Sequence, residues 1–469
     1  MRVDYGNDRW QIVCGSYTGA QQHAMDMLYG TVKEYVPYIL TAATADAANT
    51  DSHSLILVGT REDNPLIAQL VADADIPADG FLVKIMDSPF NPDRQIALLA
   101  GKTSVQTIYA AAHFLHQYLP TAHHGGQLHY LPLFQGKLPP YEAACAPAIA
   151  ERGIWTWGHC IYDYEGFAEN MARIGLNAIT IWNDFAPLNL KEVVSCFHGY
   201  GIKVIFGYSW AWDEKPDISS PEELAYWRQR VMDIYATQYE SAGGDGIYFQ
   251  SFTETSDDNI GGLSIAETVV KWVNHVGGAM LDRWPDLYIQ FGLHATSVKN
   301  RLDAIAKVDP RICITWEDCG AFPYAYHPAK TEDFQKTLDF TDAFLQLRPN
   351  AQTGVVLKGQ CCLNWNQFEH QKGSFIMGKT SKDFLQKRTD FVRPMLRHGQ
   401  SYWLENFGLY RTTLRHLSGS AVYDLVEDSL FDTNCWYAVA LYALAMWHPE
   451  LSDGELLRLV AQRTDITMA

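Results

Sequence analysis

The segment from Arg152 to Trp212, RGIWTWGHCIYDYEGFAENMARIGLNAITIWNDFAPLNLKEVVSCFHGYGIKVIFGYSWAW, alternates apolar runs with polar loops and amphipathic stretches. GIWTWGHC, NAITIWNDF and KVIFGYSWAW read as strands, with GFAENMARIG and LKEVVSCFHGYG as the helices between them. Each strand is almost continuously apolar, the pattern of parallel strands covered by protein on both faces. The same unit recurs toward the C-terminus. GDGIYFQSFTET (244–255) is a fourth strand, DLYIQFGLHAT (286–296) a fifth, RICITWEDC (311–319) a sixth and TGVVLKGQ (353–360) a seventh. Helices are expected over Pro221–Glu240 and Ser264–Arg283. Seven such units predict an α/β fold built on a (β/α)8 TIM barrel, with SYWLENFGL (401–409) as the candidate eighth strand. A doubly wound open sheet is the alternative. It would need a phosphate-binding glycine loop after an early strand, and neither GxGxxG nor GxxxxGK[ST] occurs where it would serve.

Working outward toward the N-terminus, residues 1–145 read as a separate small α/β domain. SLILVGT (54–60), GFLVKIM (80–86) and RQIALLAG (94–101) are its strands, and TSVQTIYAAAHFLHQYLP (103–120) is a helix stopped by Pro120. Thr121–Pro147, rich in His, Gly and Pro, is the expected linker. The catalytic barrel is then expected over 150–410 and a helical C-terminal region over 411–469.

Composition excludes several functions. The 36 basic and 54 acidic residues give a formal charge of −18, the wrong sign for tracking nucleic acid phosphates or anionic lipid. The N-terminal MRVDYGNDRWQIVCG is too polar for a secretory signal. The longest apolar run, WYAVALYALAMW (436–447), is shorter than the roughly 20 residues a bilayer needs. It reads as a buried helix or as a contact in a homodimer formed through the C-terminal helices. The nine cysteines show no disulfide framework, so reduced thiols and a cytoplasmic location are expected. The HHGGQLH tract (123–129) lacks the spacing of a metal site, and neither metal nor cofactor is expected.

In such a barrel the chemistry sits at the C-terminal ends of the strands. In order these ends present His159; Asn183 and Asp184; Trp210 and Trp212; Glu254 and Asp257; His294; Trp316, Glu317, Asp318 and Tyr324; Lys358; and Trp365. Carboxyls, amides and indoles on one rim suit a carbohydrate. Polar groups bind its hydroxyls, rings stack on its apolar face, and two carboxyls cleave the glycosidic bond. Glu254, closing an apolar strand beside Phe252, is the expected general acid, because apolar surroundings disfavour its charged form. Its bland alternative is a helix cap or an ion-pair partner. Glu317 or Asp318 is the expected second carboxylate, with Asp257 and Asp258 as rivals suited to orienting a substrate amide. Trp155 and Trp182 read as core; Trp210, Trp212 and Trp365 read as stacking platforms.

The N-terminal pattern SLILVGTREDNPLIAQL, GFLVKI and IALLAGKTSVQTIYAAAHFLHQYL resembles the small α/β domain that precedes the barrel in β-hexosaminidases and α-glucuronidases. RGIWTWGH resembles the opening of their first barrel strand, and the resemblance implies that Arg152 binds sugar hydroxyls. Where β-hexosaminidases carry an Asp-Glu pair after strand four, this chain has Thr253-Glu254. The arrangement in α-glucuronidases, an acid Glu at strand four and carboxylates on later strands, is nearer to Glu254 with Glu317 or Asp318. The expectation is therefore a glycoside hydrolase acting on a terminal hexosaminide or uronide. A non-catalytic carbohydrate-binding protein on a degenerate barrel is the alternative, and a metal-dependent lyase or isomerase a third.

Overall fold

The structure is a computed structural model. It describes residues 9–123, 131–211, 217–251, 259–260, 262–294, 298, 300–317, 334–348, 352–361, 371–417, 419–427 and 431–468.

The N-terminal domain is a six-stranded sheet of β1 (Arg9–Cys14), β2 (Thr41–Thr44), β3 (His53–Gly59), β4 (Phe81–Asp87), β5 (Gln95–Gly101) and β6 (Tyr141–Cys145). The order is β2-β1-β3-β5-β4-β6; β4 runs antiparallel to both its neighbours and the other pairs are parallel. Strand β6 falls inside the stretch expected to be linker. Its alternating half-buried and exposed residues mark an edge strand, whose weak apolar signal explains the misreading.

Eight parallel strands follow and close on themselves: β7 (Glu151–Trp157), β8 (Ala178–Trp182), β9 (Lys203–Gly207), β10 (Gly246–Gln250), β11 (Tyr288–His294), β12 (Cys313–Glu317), β13 (Thr353–Cys361) and β14 (Ala421–Glu427). Seven are the expected ones. The eighth is not: Ser401–Leu409 lies in helices Lys382–Glu405 and Phe407–His416, and β14 closes the barrel by pairing Tyr423 with Gly153 and Leu425 with Trp155. The barrel therefore runs past the expected boundary at 410. Asp424 interrupts the apolar run of β14, which hides that strand from a search for continuous hydrophobicity.

Alternation along each strand divides the core in two. Ile154, Ile179, Ile181, Val204, Phe206, Ile247, Phe249, Ile289 and Ile314 pack outward against the helices. Trp155, Trp157, Trp182, Ile205, Tyr248, Val356, Tyr423 and Leu425 fill the interior. Large inward rings need small neighbours. A Cβ on Gly153 would lie 2.2 Å from the Tyr423 ring, and one on Gly207 would lie 2.5 Å from the Trp182 ring. Below the rings, Glu151 pairs with Lys203 at 2.9 Å and accepts from the Tyr423 hydroxyl, while Gln290 Nε2 donates to Tyr423 Oη at 2.9 Å. The barrel is a packed core rather than a pore.

The run at Trp436–Trp447 forms helix Tyr437–Trp447, buried within the chain at every position except Leu444. Its apolar surface is packed within the chain. Among the described residues no helix is long and apolar enough to cross a membrane.

Candidate active site

Glu317 ends β12 on the inward phase, opposite His294 at the end of β11. It is only 2% exposed. A carboxylate so enclosed must be hydrogen-bonded. The hydroxyl of Tyr248 and Nε2 of Gln250, both on β10, donate to its Oε1. Two neutral donors thus reach it from two strands away around the barrel wall.

Gly292 on the intervening strand β11 makes that reach feasible. A Cβ there would stand 2.2 Å from Tyr248 Oη and 3.0 Å from Glu317 Oε1. The Tyr248 ring is held in turn by indoles. Its centroid lies 5.7 Å from that of Trp155 and 6.2 Å from that of Trp182, in edge contacts. Trp157 joins the same group, 5.7 Å from Trp155 and 5.6 Å from Trp182. The result is a carboxyl set on an aromatic packing layer at the C-terminal end of the barrel. Trp155 and Trp182 are core, as expected, but core of the barrel interior beneath the site.

Several expected residues stand elsewhere. Arg152, the second residue of β7, lies at the opposite end of the strands. Its guanidinium donates to the carbonyls of Gly175, Ile149 and Ala150 and stacks on Trp447, 4.9 Å to the ring centroid. Those partners hold it away from the mouth, which overturns the sugar-binding role implied by the resemblance. Trp210 is fully buried on the outer face, stacked on Phe249 with centroids 3.6 Å apart, so it is no platform. Trp316 packs outward on Phe340, 5.0 Å between centroids. Neighbours on a strand point to opposite faces, so Trp316 and Glu317 cannot share one mouth. Asn183 is buried behind the wall, its amide beside Gly158 and the side chains of Ile181 and Met377. Asp184 follows it, half-buried after the end of β8.

The backbones of His159, His294 and Lys358 stand after β7, at the end of β11 and within β13; their side chains lie outside the described residues. Trp212, Glu254, Asp257, Asp258, Asp318, Tyr324 and Trp365 also lie outside them. Among the described residues no cluster of His, Cys, Asp and Glu could hold a metal ion.

Two further features mark this end of the barrel. Ala211 turns the chain after β9 at φ 64°, a left-handed conformation that costs a non-glycine residue about 1 kcal/mol or more. Tyr208 packs outward on Tyr239, and burial holds its hydroxyl protonated far above the usual phenol range. The sequence reading missed Tyr248, Gln250 and Gly292. A usable signal existed: in GIYFQ the polar-tipped Tyr248 and Gln250 share one phase, as Cys313, Thr315 and Glu317 do in CITWE.

No protein-family model matches the chain. No curated protein matches it in sequence. Solved structures do match. One described as "Structure of CpGH84B" aligns over 97% of this chain and 70% of its own, with a TM-score of 0.54 and 9% identity. Another, "Structure of CpGH84D", aligns over 97% of this chain and 89% of its own, with a TM-score of 0.40 and 12% identity. The fold is a TIM barrel. At such identity the likeness speaks to fold alone, and the chemistry of the barrel has to be argued from its own residues.

Proposed function

We propose that this chain is a glycoside hydrolase that removes a terminal sugar, of the hexosaminide or uronide class, by a two-carboxylate mechanism. The observation that carries the reading is the buried, inward-facing Glu317 carboxyl at the C-terminal end of the barrel, oriented by Tyr248 and Gln250. The Tyr248 hydroxyl and the Gln250 amide both donate to one carboxyl oxygen, which makes that oxygen an acceptor and fixes the orientation of the group. We assign Glu317 the role of base, nucleophile or stabiliser of an oxocarbenium-like transition state, and the proton donor is then a second carboxyl. That division leaves the acid role to Glu254, and it favours Glu317 over Asp318 as the second carboxylate. Asp257 remains the rival in a mechanism that uses the substrate's own amide.

A panel of nitrophenyl glycosides that includes N-acetylhexosaminides and uronides tests the reading. Glu317→Gln keeps the shape and removes the charge, so it should leave the thermal unfolding midpoint nearly unchanged and lower kcat by about a thousandfold or more. Wild-type turnover in Glu317→Gln would overturn the assignment. Sugar binding by the parent chain, measured calorimetrically without hydrolysis of any member of the panel, would instead favour a binding protein on a barrel that has lost catalysis.

A further inference from the structure

We infer that Tyr248 is the positioning residue of this site: reaching past Gly292, its hydroxyl holds the Glu317 carboxylate in one orientation together with Gln250. The inference rests on the proposed role of Glu317 and deepens it.

Three observations converge. Tyr248 and Gln250 are two residues apart on β10, so both side chains point inward and arrive at the same oxygen, Glu317 Oε1. Strand β11 lies between β10 and β12, with Gly292 in register with Gln250 on one side and Thr315 on the other. Any side chain at 292 would occupy the space where the Tyr248 hydroxyl meets the carboxyl. The Tyr248 ring is fully buried and wedged against Trp155 and Trp182, so its hydroxyl has little freedom to point elsewhere.

A rigid donor acts on a carboxylate in two ways. It selects one rotamer, which positions the group for reaction, and it lowers the proton affinity of the oxygen it contacts. Tyr248 touches Glu317 in the structure, and its part in the reaction is exerted through that carboxyl.

The test is Tyr248→Phe in the full chain, read in two ways. In kinetics on whichever nitrophenyl glycoside the parent turns over, kcat should fall by about ten- to a hundredfold, the effect of losing one hydrogen bond to a charged group. KM should change little, and the acidic limb of the kcat/KM profile should move up by about one pH unit. The second readout needs no turnover: NMR titration of 13C-carboxyl glutamate, with the Glu317 resonance assigned by its absence in Glu317→Gln. Its midpoint should rise in Tyr248→Phe by a similar amount. Gly292→Ala, which pushes a methyl between the two groups, should shift the midpoint in the same direction.

An unchanged NMR midpoint in folded Tyr248→Phe overturns the inference, whatever the activity of Glu317→Gln. A shifted midpoint combined with full activity in Glu317→Gln overturns the catalytic role of Glu317, and with it the claim that Tyr248 serves catalysis. A shifted midpoint with an inactive Glu317→Gln supports both.

Discussion

Asp432 lies just beyond the closing strand, where the chain passes helix Tyr164–Arg173, and it is 4% exposed. Its main-chain carbonyl crowds Gly166, and the neighbouring Phe431 carbonyl accepts from Asn170 Nδ2 at 2.7 Å. Burial pushes its carboxyl up to about 7, helped by the nearby charge of Asp163 and partly offset by backbone N–H groups of Tyr162 and Asp163. The folded value lies above the ordinary 3.8, so this group's contribution is fully present below pH 3.8 and is lost as pH rises through about 7. Three units correspond to roughly 4 kcal/mol at most. Asp432→Asn should therefore gain stability relative to the parent when urea unfolding is moved from pH 5 to pH 8. An equal change at both pH values would mean that desolvation is not the dominant influence. The same scale holds what the sequence misjudged about the site. Trp210 and Trp316 were legible as aromatic and near strand ends, yet which way each ring points depends on strand phase, and one residue of error reverses it. Glu317 was legible because a carboxylate after an apolar run is rare; Tyr248, inside the run, looked like core.

At the scale of elements, the barrel closes through β14 and β7, the pair the sequence did not reveal. Their register places the Tyr423 ring where a side chain on Gly153 would otherwise be. Gly153→Ala should cost about 1 to 3 kcal/mol through overpacking. Tyr423→Leu should relieve that cost, giving a coupling of about 1 kcal/mol or more in a double-mutant cycle read by urea unfolding. Additive effects would show that these strands are not neighbours in this register. The seven other strands were readable because each is an apolar run with both faces covered. Edge strand β6 and the Asp-interrupted β14 were not, since neither carries that signal.

Over the whole molecule, the C-terminal tail ties the N-terminal domain to the barrel. Trp447 touches Phe81 and Tyr109 of the first domain, with ring centroids 5.7 and 5.4 Å away, and its Nε1 donates to Gly175 O at 3.1 Å. Nearby, Arg463 pairs with Asp465 at 2.8 Å and donates to the carbonyl of Arg173, while His116 of the first domain lies 3.8 Å from Asp465. Asp465 is buried, which alone would raise its carboxyl, but Arg463 and His116 hold it down at about 2. A depressed value means stability present above pH 3.8 and lost as pH falls through about 2. Burial lowers His116 to about 4, so it is neutral at pH 7 and opposes folding as pH drops from 6.5 through about 4. Asp465→Asn leaves Arg463 buried without its counter-charge and should cost about 3 to 5 kcal/mol near neutral pH. The deficit should shrink below pH 3.8 if the pair is the cause; a deficit constant down to pH 2.5 would point to packing instead.

Seven apolar strand runs, read one at a time, were enough to specify a parallel barrel behind a small α/β domain. Hydrophobic periodicity is a local property, and each strand carries its own copy of it. Which carboxyl faces the interior, and which tyrosine, amide and glycine meet it there, was decided only by the tertiary structure. Glu317 and Tyr248 are 69 positions apart, and their contact exists only because barrel closure sets three neighbouring strands in register.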